Sequence, residues 1–273
     1  MNIIEIATWL TLGCLPAFLL LDLAYGARRV KTPRYWRIRA FLVTLFVFGL
    51  SLVVPMFWSR LIGDRTLFHL ASLGTWGGAA IGVLVYQFFH YWYHRAVHRS
   101  DFLFRWVHQM HHSVEGIEAF GAYYLSPWDV FGFVSIASLV FFPLLGVSPA
   151  AGVVGNLFLT FAALFQHANL RTPRWLGYII QRPESHGIHH ERGVHHYNYC
   201  DLPLWDIAFG TFRNPATFDR QCGYYDGASS RIGEMLIGRD VTERPGISVA
   251  PEPVRYPHLG APRPRRDKIP AAT

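Results

Sequence analysis

The chain has 273 residues and a formal net charge of +7, and hydrophobic residues make up 51% and aromatic residues 16% of it. Together with a positive mean hydropathy of +0.19, this composition is typical of a protein that lies in a bilayer. The three cysteines, Cys14, Cys200 and Cys222, have no paired spacing, which excludes a cysteine-ligated iron–sulfur cluster, a zinc ribbon and a disulfide framework.

Two apolar stretches in the first sixty residues have the length of membrane-spanning helices. Residues 3–26 are mostly apolar, and residues 40–58 carry no charge, which is enough chain to cross roughly 30 Å of hydrocarbon. The first stretch has no basic residue at its start and no small-residue cleavage site before the arginine cluster. We therefore expect it to be a membrane span rather than a cleaved signal peptide.

Three more apolar stretches follow along the chain. Residues 70–92 predict a third span, and residues 130–145 and 150–165 predict a helical hairpin, because only the short turn 146–149 separates them. Each arm of the hairpin is somewhat short, so a full crossing and a re-entrant hairpin both remain open. The pattern predicts an all-α integral membrane protein with four or five apolar helices and a cytosolic, histidine-rich helical cap.

The distribution of positive charge predicts the orientation. Six basic residues lie between the first two spans, namely Arg28, Arg29, Lys31, Arg34, Arg37 and Arg39. The positive-inside rule places this loop in the cytoplasm, and the later crossings then return both groups of histidines to the same side. We expect a bacterial inner-membrane protein whose metal site faces the cytoplasm. Orientation and anionic lipid account for the net charge, so no nucleic-acid partner is expected.

Histidines supply the strongest functional signal. Twelve of the fourteen lie between His90 and His196, and the spacing His-x-x-His-His occurs twice, at His108, His111 and His112 and at His186, His189 and His190. Intervals of three and four residues place side chains on one face of a helix, where several nitrogens can share a metal centre. The same periodicity aligns His90, His94 and His98 along the third span.

The number of histidines predicts two metal ions. Imidazole suits zinc, copper, iron and nickel, so the ligand type leaves the metal open, whereas nine or more clustered histidines exceed the four ligands of one structural zinc ion. Iron with open coordination positions can activate dioxygen, and a zinc pair would favour hydrolysis. The hydrolytic alternative lacks a His-Glu-x-x-His motif.

Between residues 87 and 212 these motifs resemble those of the membrane fatty acid hydroxylase and sterol desaturase superfamily, whose signature is three or four spaced histidine boxes. His94-Arg95-x-x-His98 resembles the first box, and the two His-x-x-His-His motifs resemble the second and third. His167 resembles the lone histidine that follows the hairpin. Residues 198–211 are similar to the closing segment of the family, with Cys200 where the family usually has glycine.

The resemblance implies a membrane-bound di-iron enzyme that uses O2 to hydroxylate, or less favourably to desaturate, a C–H bond of a lipid such as a fatty acyl chain or sterol. It also implies that nine histidines hold the two iron ions, with zinc possible in the isolated protein. These are His94, His98, His108, His111, His112, His167, His186, His189 and His190. The roles of His90, His195 and His196 stay open between coordination and support of a ligand.

The resemblance requires electrons from an external donor. The sequence has no Gly-x-Gly-x-x-Gly nucleotide motif, no cysteine cluster and no recognisable haem module. We therefore expect a separate electron-transfer protein as a partner, in addition to the lipid substrate and the bilayer.

Several residues near the boxes could support the metal site. For Arg95, Asp129, Trp205 and Asp206 the sequence favours roles at the membrane interface, which are commoner for such residues. The glutamates beside the boxes lack the Glu-x-x-His signature of soluble di-iron bundles, so we expect them to lie beside the ligands or in solvent. These are Glu115, Glu118, Glu184 and Glu191.

Two other classes of function remain open. A metal-handling or transport protein would favour ionisable residues inside the spans, which are scarce apart from Asp22. A haem-binding membrane cytochrome would place axial histidines as opposed pairs within the spans.

The sequence divides into four predicted segments. Residues 1–75 hold the N-terminal membrane helices and the basic loop, residues 76–215 the catalytic domain with its hairpin, and residues 216–243 a C-terminal extension. Residues 244–273 are rich in proline, which predicts a disordered tail.

Overall fold

The structure, a computed structural model, describes residues 1–244, and the regular secondary structure within them is helical apart from one antiparallel bridge between Glu191 and Cys222. The longer helices are α1 (Ile3–Tyr25), α2 (Trp36–Ile62), α3 (Gly74–Arg99), α4 (Pro127–Leu139, continued by a π-helical turn to Leu144) and α5 (Pro149–His167). Shorter helices α6 (Pro183–His190), α7 (Leu204–Ala208) and α8 (Ile232–Leu236) follow. The predicted proline-rich tail lies outside the described residues, and the proposed segment boundaries stay predictions.

A broken helix of three short pieces lies between α3 and α4, formed by Asp101–Leu103, the π-helical Phe104–His108 and Gln109–His112. Single 3-10 turns occur at Leu70–Leu73, Ala119–Gly121, Arg174–Tyr178 and Ala228–Ser230. The all-helical architecture agrees with the sequence prediction.

Four helical segments are long and apolar enough to cross a membrane, and they are Ile3–Tyr25, Trp36–Ile62, Pro127–Leu144 and Pro149–His167. Both hairpin helices are therefore longer than the sequence pattern predicted. The predicted third span corresponds to α3, which is not among the four, because its second half carries three histidines and two arginines.

Local sequence signals define where the hairpin helices begin. Ser126 and Ser148 each precede a proline, which fits the first position of a helix because its missing N–H would have no partner there. The Ser126 hydroxyl accepts a hydrogen bond from the Asp129 N–H at 3.1 Å, and the Ser148 hydroxyl accepts one from the Ala151 N–H at 3.2 Å. Gly146 turns the chain between the helices with φ of 60°, which glycine adopts without strain.

The basic loop and the histidine-bearing segments lie at the same end of the helix bundle, as predicted. The buried carboxylate of Asp22, near the end of α1, accepts hydrogen bonds from the backbone N–H groups of Ala119 and Asn169. The Arg28 N–H, in the basic loop, donates to the Asn169 side chain at 3.0 Å, and Arg37, in the first turn of α2, forms an ion pair with Glu118 at 3.0 Å. These contacts fix the first two spans against the cap.

Glycines allow α3, α4 and α5 to approach closely. The buried ring of Phe141 lies against Gly82 of α3 and Gly155 of α5, and a Cβ atom at either glycine would collide with this ring. Because lipid supplies no hydrophobic force between helices, such close packing is what holds membrane helices together. This packing fixes α3, α4 and α5 relative to one another, and the C-terminal ends of α3 and α5 carry candidate ligand histidines.

We predict that Gly82→Ala destabilises the protein by about 1–3 kcal/mol, because the added methyl group overpacks the Phe141 contact. The matched control is Gly49→Ala in α2, where a Cβ atom meets nothing within 4 Å and alanine favours the helix by up to about 1 kcal/mol. Denaturant titration in detergent would measure both free energies of unfolding. Equal effects of the two substitutions would contradict the proposed packing.

Candidate metal centre

The structure gathers the nine predicted ligand histidines into two groups. The first histidine group consists of His94, His98, His108, His112 and His189. The second histidine group consists of His111, His167, His186 and His190. Within each group the candidate ligand nitrogens all lie within 4.8 Å of one another, and every ring except that of His98 belongs to a buried residue.

Each His-x-x-His-His motif contributes to both groups. His108 and His112 join the first group, whereas His111 faces the second; in α6, His186 and His190 join the second group and His189 the first. The spacing predicted that all three rings of a motif lie on one face toward a common centre, and the structure corrects this expectation. Consecutive residues differ by about 100° around a helix, so adjacent histidines diverge while an i, i+4 pair stays together.

The two groups are neighbours. The rings of His112, in the first group, and His190, in the second, stack with centroids 4.3 Å apart. Because the broken helix and α6 each supply ligands to both groups, neither group can move independently of the other. The arrangement suits two adjacent metal ions.

Hydrogen bonds at the outer nitrogens determine where the protons lie. The Nδ1 atoms of His94, His189 and His167 contact backbone carbonyl oxygens of Tyr199, Tyr197 and Ala163 at 2.7–2.8 Å. A carbonyl can only accept, so each Nδ1 carries the proton and each Nε2 presents a lone pair toward the interior.

These inward lone pairs fit a metal ion. The Nε2 atoms of His94 and His108 lie 2.9 Å apart, and in the second group those of His186 and His167 lie 3.0 Å apart. Two lone pairs at this distance repel each other unless a cation lies between them. Nitrogen ligands about 2.1 Å from one ion and at right angles to each other would lie about 3.0 Å apart.

Buried nitrogens without hydrogen-bond partners support the same interpretation. Within the part of the chain that the structure describes, such atoms occur on five of the nine histidines, namely His111, His112, His186, His189 and His190. A buried polar atom without a partner is costly and demands an explanation. Coordination to a metal would supply the missing partner of the Nε2 atoms of His112 and His189. The unpartnered atoms of His111, His186 and His190 are Nδ1 atoms, which lie on the outer side of rings whose Nε2 atoms face one another in the second group.

The histidines are in the protonation state that coordination requires. Burial, followed by the charges of neighbouring imidazoles, lowers the pKa of six of them well below the usual value of 6.5; these are His108, His111, His112, His186, His189 and His190. They are therefore neutral at pH 7, and their lone pairs are available to a cation.

Asp129 orients one of the candidate ligand histidines. Its fully buried carboxylate accepts a hydrogen bond from His108 Nδ1 at 2.8 Å. The prediction of an interface role for Asp129 was wrong, because the Ser126 cap begins α4 directly beside the broken helix and turns this carboxylate inward. The only signal in the sequence was an acid in the first turn of a span, which does not indicate its partner.

The closing segment positions His94 through a second carboxylate. Asp206 accepts hydrogen bonds from the backbone N–H groups of Tyr199 and Cys200 at 2.8 and 2.9 Å, and so fixes the Tyr199 carbonyl that contacts His94. Burial raises the pKa of Asp206 to about 6. Cys200 is buried with its thiol directed at the Gln87 carbonyl, and its backbone has no positive φ, so this position does not require glycine.

Asp201 ties the closing segment to the membrane helices. Its buried carboxylate accepts hydrogen bonds from the side-chain amides of Gln87 in α3 and Gln166 in α5, at 2.6 and 2.9 Å. Burial raises the pKa of Asp201 to about 6, while the two amides lower it. The network holds together the two helices that carry His94 and His167.

The other histidines of residues 1–244 lie outside both groups. His90 Nδ1 lies 3.1 Å from the Tyr86 hydroxyl and 3.9 Å from the Asp201 carboxylate. His195 Nδ1 lies 2.9 Å from His112 Nδ1, which places His195 behind a ligand candidate in a supporting position. The glutamates beside the boxes also stay out of both groups; Glu184, for example, pairs with Arg182 and Arg28.

Comparisons with known proteins agree with this geometry. Residues 79–211 match the sequence profile of the family described as Fatty acid hydroxylase. The chain is 26% identical over 153 residues to sphinganine C4-monooxygenase 1 of Arabidopsis thaliana, covering 55% of this chain and 59% of that protein. It is 27% identical over 139 residues to a very-long-chain aldehyde decarbonylase of Oryza sativa subsp. indica, covering 48% and 52%.

A fatty acid hydroxylase of Lecanicillium sp is 29% identical over 164 residues, covering 52% of this chain and 45% of that protein. The chain thus spans about half the length of these relatives. No solved structure gives a significant match.

We predict that Asp129→Ala weakens iron binding by about 10- to 100-fold, because His108 loses the acceptor that fixes its orientation and proton. Asp129→Asn keeps an acceptor oxygen, so its affinity for iron should fall by less than that of Asp129→Ala. The control is Glu118→Gln, another buried carboxylate, which contacts Trp36 and Arg37 instead of a histidine. Chelator competition followed by metal analysis would measure the affinities, and an unchanged affinity in folded Asp129→Ala would refute this role.

Proposed function

We propose that this chain, whose residues 79–211 match the fatty acid hydroxylase family, is a membrane-bound di-iron oxidoreductase that uses O2 to hydroxylate a C–H bond of a lipid. The observation that carries the proposal is the convergence of inward imidazole lone pairs in two adjacent buried groups. We propose the nine histidines of these groups as the ligands of two iron ions, five around one and four around the other.

The chemistry divides between the metal and the chain. Iron bound by imidazole with an open coordination position supplies the reduction of dioxygen. One oxygen atom enters the C–H bond to give an alcohol, and the other leaves as water with two electrons and two protons. The chain contributes buried ligands and a wall against the bilayer, where the Phe133 ring packs on His94 and His108 with centroids 5.7 and 6.2 Å apart.

An apolar groove beside the first histidine group supports a lipid substrate. Its volume is about 530 Å³, and it is lined by Tyr93, Phe102, Leu103, Trp106, Val107, Trp128, Phe131 and Gly132. Tyr93 and Val107 directly precede His94 and His108 in the chain, and Trp128 is an exposed residue at the start of a candidate span. We propose that the substrate chain reaches the metal centre from the bilayer along this groove.

Hydroxylation is favoured over desaturation, and the metal site is proposed to face the cytoplasm. Two of the relatives are named for oxygenation, as a monooxygenase and as a hydroxylase. The basic loop lies at the same end of the bundle as the histidines, and the positive-inside rule places such a loop in the cytoplasm. A separate electron-transfer protein would then reach the site from that compartment.

The structure offers less support for a metal transporter. Transport favours ionisable residues along a path through the membrane. The buried carboxylates within the four candidate spans are Asp22 and Asp129, and both are engaged, Asp22 by backbone N–H groups and Asp129 by His108. Neither lines a route across the bilayer.

We predict that the purified protein, supplied with a lipid extract, an electron donor and isotopically heavy dioxygen, produces a lipid that has gained one heavy oxygen atom. Mass spectrometry would identify it. His108→Ala should abolish the product, since this residue lies in the first histidine group. A product that has lost two hydrogens would replace hydroxylation by desaturation, and the absence of any product would count against the enzyme.

We also predict that protein expressed with iron binds about two equivalents per chain. His108→Ala and His186→Ala, one from each histidine group, should each lower this content by about one equivalent or more. His69→Ala is the matched control, because His69 is exposed in the loop between α2 and α3 and belongs to neither group. Full iron content in both group variants would show that the histidines are not the ligands.

A further inference from the structure

A basic cleft opens on the cap, on the side of the protein that carries the basic loop. Its volume is about 450 Å³. Six of its lining residues are cationic, namely Arg28, Arg29, Lys31, Arg171, Arg192 and Arg220, and three are acidic, namely Glu115, Asp219 and Asp226. The cleft therefore has an excess of positive charge.

Four of the six cations in the basic cleft are exposed, and so are two of its three acids, Asp219 and Asp226. Arg29, Arg171 and Arg220 are exposed, and the Lys31 side chain is 91% exposed. Glu115, in contrast, is buried and accepts hydrogen bonds from the backbone N–H groups of Gly227 and Ser229. Among the described residues, carboxylates form ion pairs with the other four cations of the cleft, so its uncompensated positive charge lies at the exposed Arg29 and Arg171.

The floor of the basic cleft lies directly on the helix that carries the second histidine group. Phe218, which is 5% exposed, packs against Gly187 of α6 so closely that a Cβ atom there would collide with its ring. Cys222 pairs with Glu191 across the antiparallel bridge, and the next residue, Gly223, donates its N–H to the His190 carbonyl at 3.2 Å. One hydrogen bond thus joins the cleft floor to a residue of the second group.

We propose that the basic cleft is the docking surface for an acidic one-electron carrier protein. This inference rests on the proposed function, because hydroxylation consumes two electrons that the chain itself has no group to supply. Complementary charge steers such partners together, and redox encounters need only a small interface. Docking here would bring the carrier next to α6, from which His190 and His186 reach the second histidine group.

A carrier protein fits the basic cleft better than a bilayer surface does. The cleft is concave, and its residues come from cap segments that follow α1, the broken helix, α5 and α6. Exposed aromatic residues such as Phe102, Trp106 and Trp128, which suit lipid, surround the apolar groove instead. The two surfaces are lined by different residues, so the carrier and the lipid can bind at the same time.

The test reverses charge at the rim of the cleft without touching the histidines. Arg29→Glu, Arg171→Glu and the double variant are compared with wild type in nanodiscs of zwitterionic lipid, using reduced plant-type ferredoxin as the acidic carrier. We expect the double variant to raise both the Kd and the KM for ferredoxin by about tenfold or more at low ionic strength. High salt should shrink the difference, and the KM for lipid should stay unchanged.

Two controls separate docking from chemistry. Arg65→Glu makes the same charge change at an exposed position in the loop between α2 and α3, at the other end of these helices, and should leave ferredoxin binding unchanged. Turnover driven by dithionite with a small mediator needs no docking, so the rim variants should retain it. Ferredoxin binding is measured directly, so it reports on the cleft even if no turnover occurs.

Wild-type affinity for ferredoxin in the double variant would overturn the docking proposal. The proposal also falls if the rim variants lose only an activation by anionic lipid, since the cleft would then contact headgroups. Charge-dependent ferredoxin binding without turnover under any reductant would support the docking surface and contradict the proposed oxidation. These outcomes distinguish the failure of either proposal.

Discussion

The repulsion between buried imidazole lone pairs is the constraint on which the structure depends. At His94 and His167 a backbone carbonyl holds the proton on the outer nitrogen, so the inner nitrogen has only a lone pair to offer. Facing nitrogens about 3 Å apart that each offer only a lone pair repel each other, and a cation between them would remove this repulsion. The site is therefore suited to a metal ion, and its position beside α3, α5 and α6 would couple metal binding to their packing.

Carboxylates far from the histidines in sequence supply the outer support. Asp129 accepts a hydrogen bond from the ring of His108. Asp206 binds the backbone N–H of Tyr199, the residue whose carbonyl contacts His94. Asp201 accepts hydrogen bonds from the side-chain amides of Gln87 and Gln166. Each is buried where an unpaired charge would be costly, so each hydrogen bond both satisfies a carboxylate and fixes an element of the site. These carboxylates make the site rigid, since the histidine nitrogens that face one another repel.

The sequence predicted which histidines converge better than it predicted how they divide into groups. Apolar length, serine–proline starts and histidine spacing are local signals, so the spans, the hairpin and the nine histidines could be read directly. The division of each His-x-x-His-His motif between two groups could not, because it depends on how the broken helix and α6 face each other. The partnership of Asp129 with His108 was invisible for the same reason: twenty-one residues and a change of direction separate them.

The candidate metal centre lies between two surfaces of different chemistry, an apolar groove and a basic cleft. The apolar groove reaches the first histidine group through Tyr93, whose ring contacts Phe133, which in turn packs on His94, whereas α6, with ligands of the second group, lies beneath the basic cleft. In the function that we propose, a lipid chain approaches from the membrane side and electrons arrive from the water side. Each His-x-x-His-His motif contributes histidines to both groups, so the two groups lie side by side. One group can therefore lie toward the apolar groove and the other toward the basic cleft. Because the two groups share these motifs, their relative position is fixed.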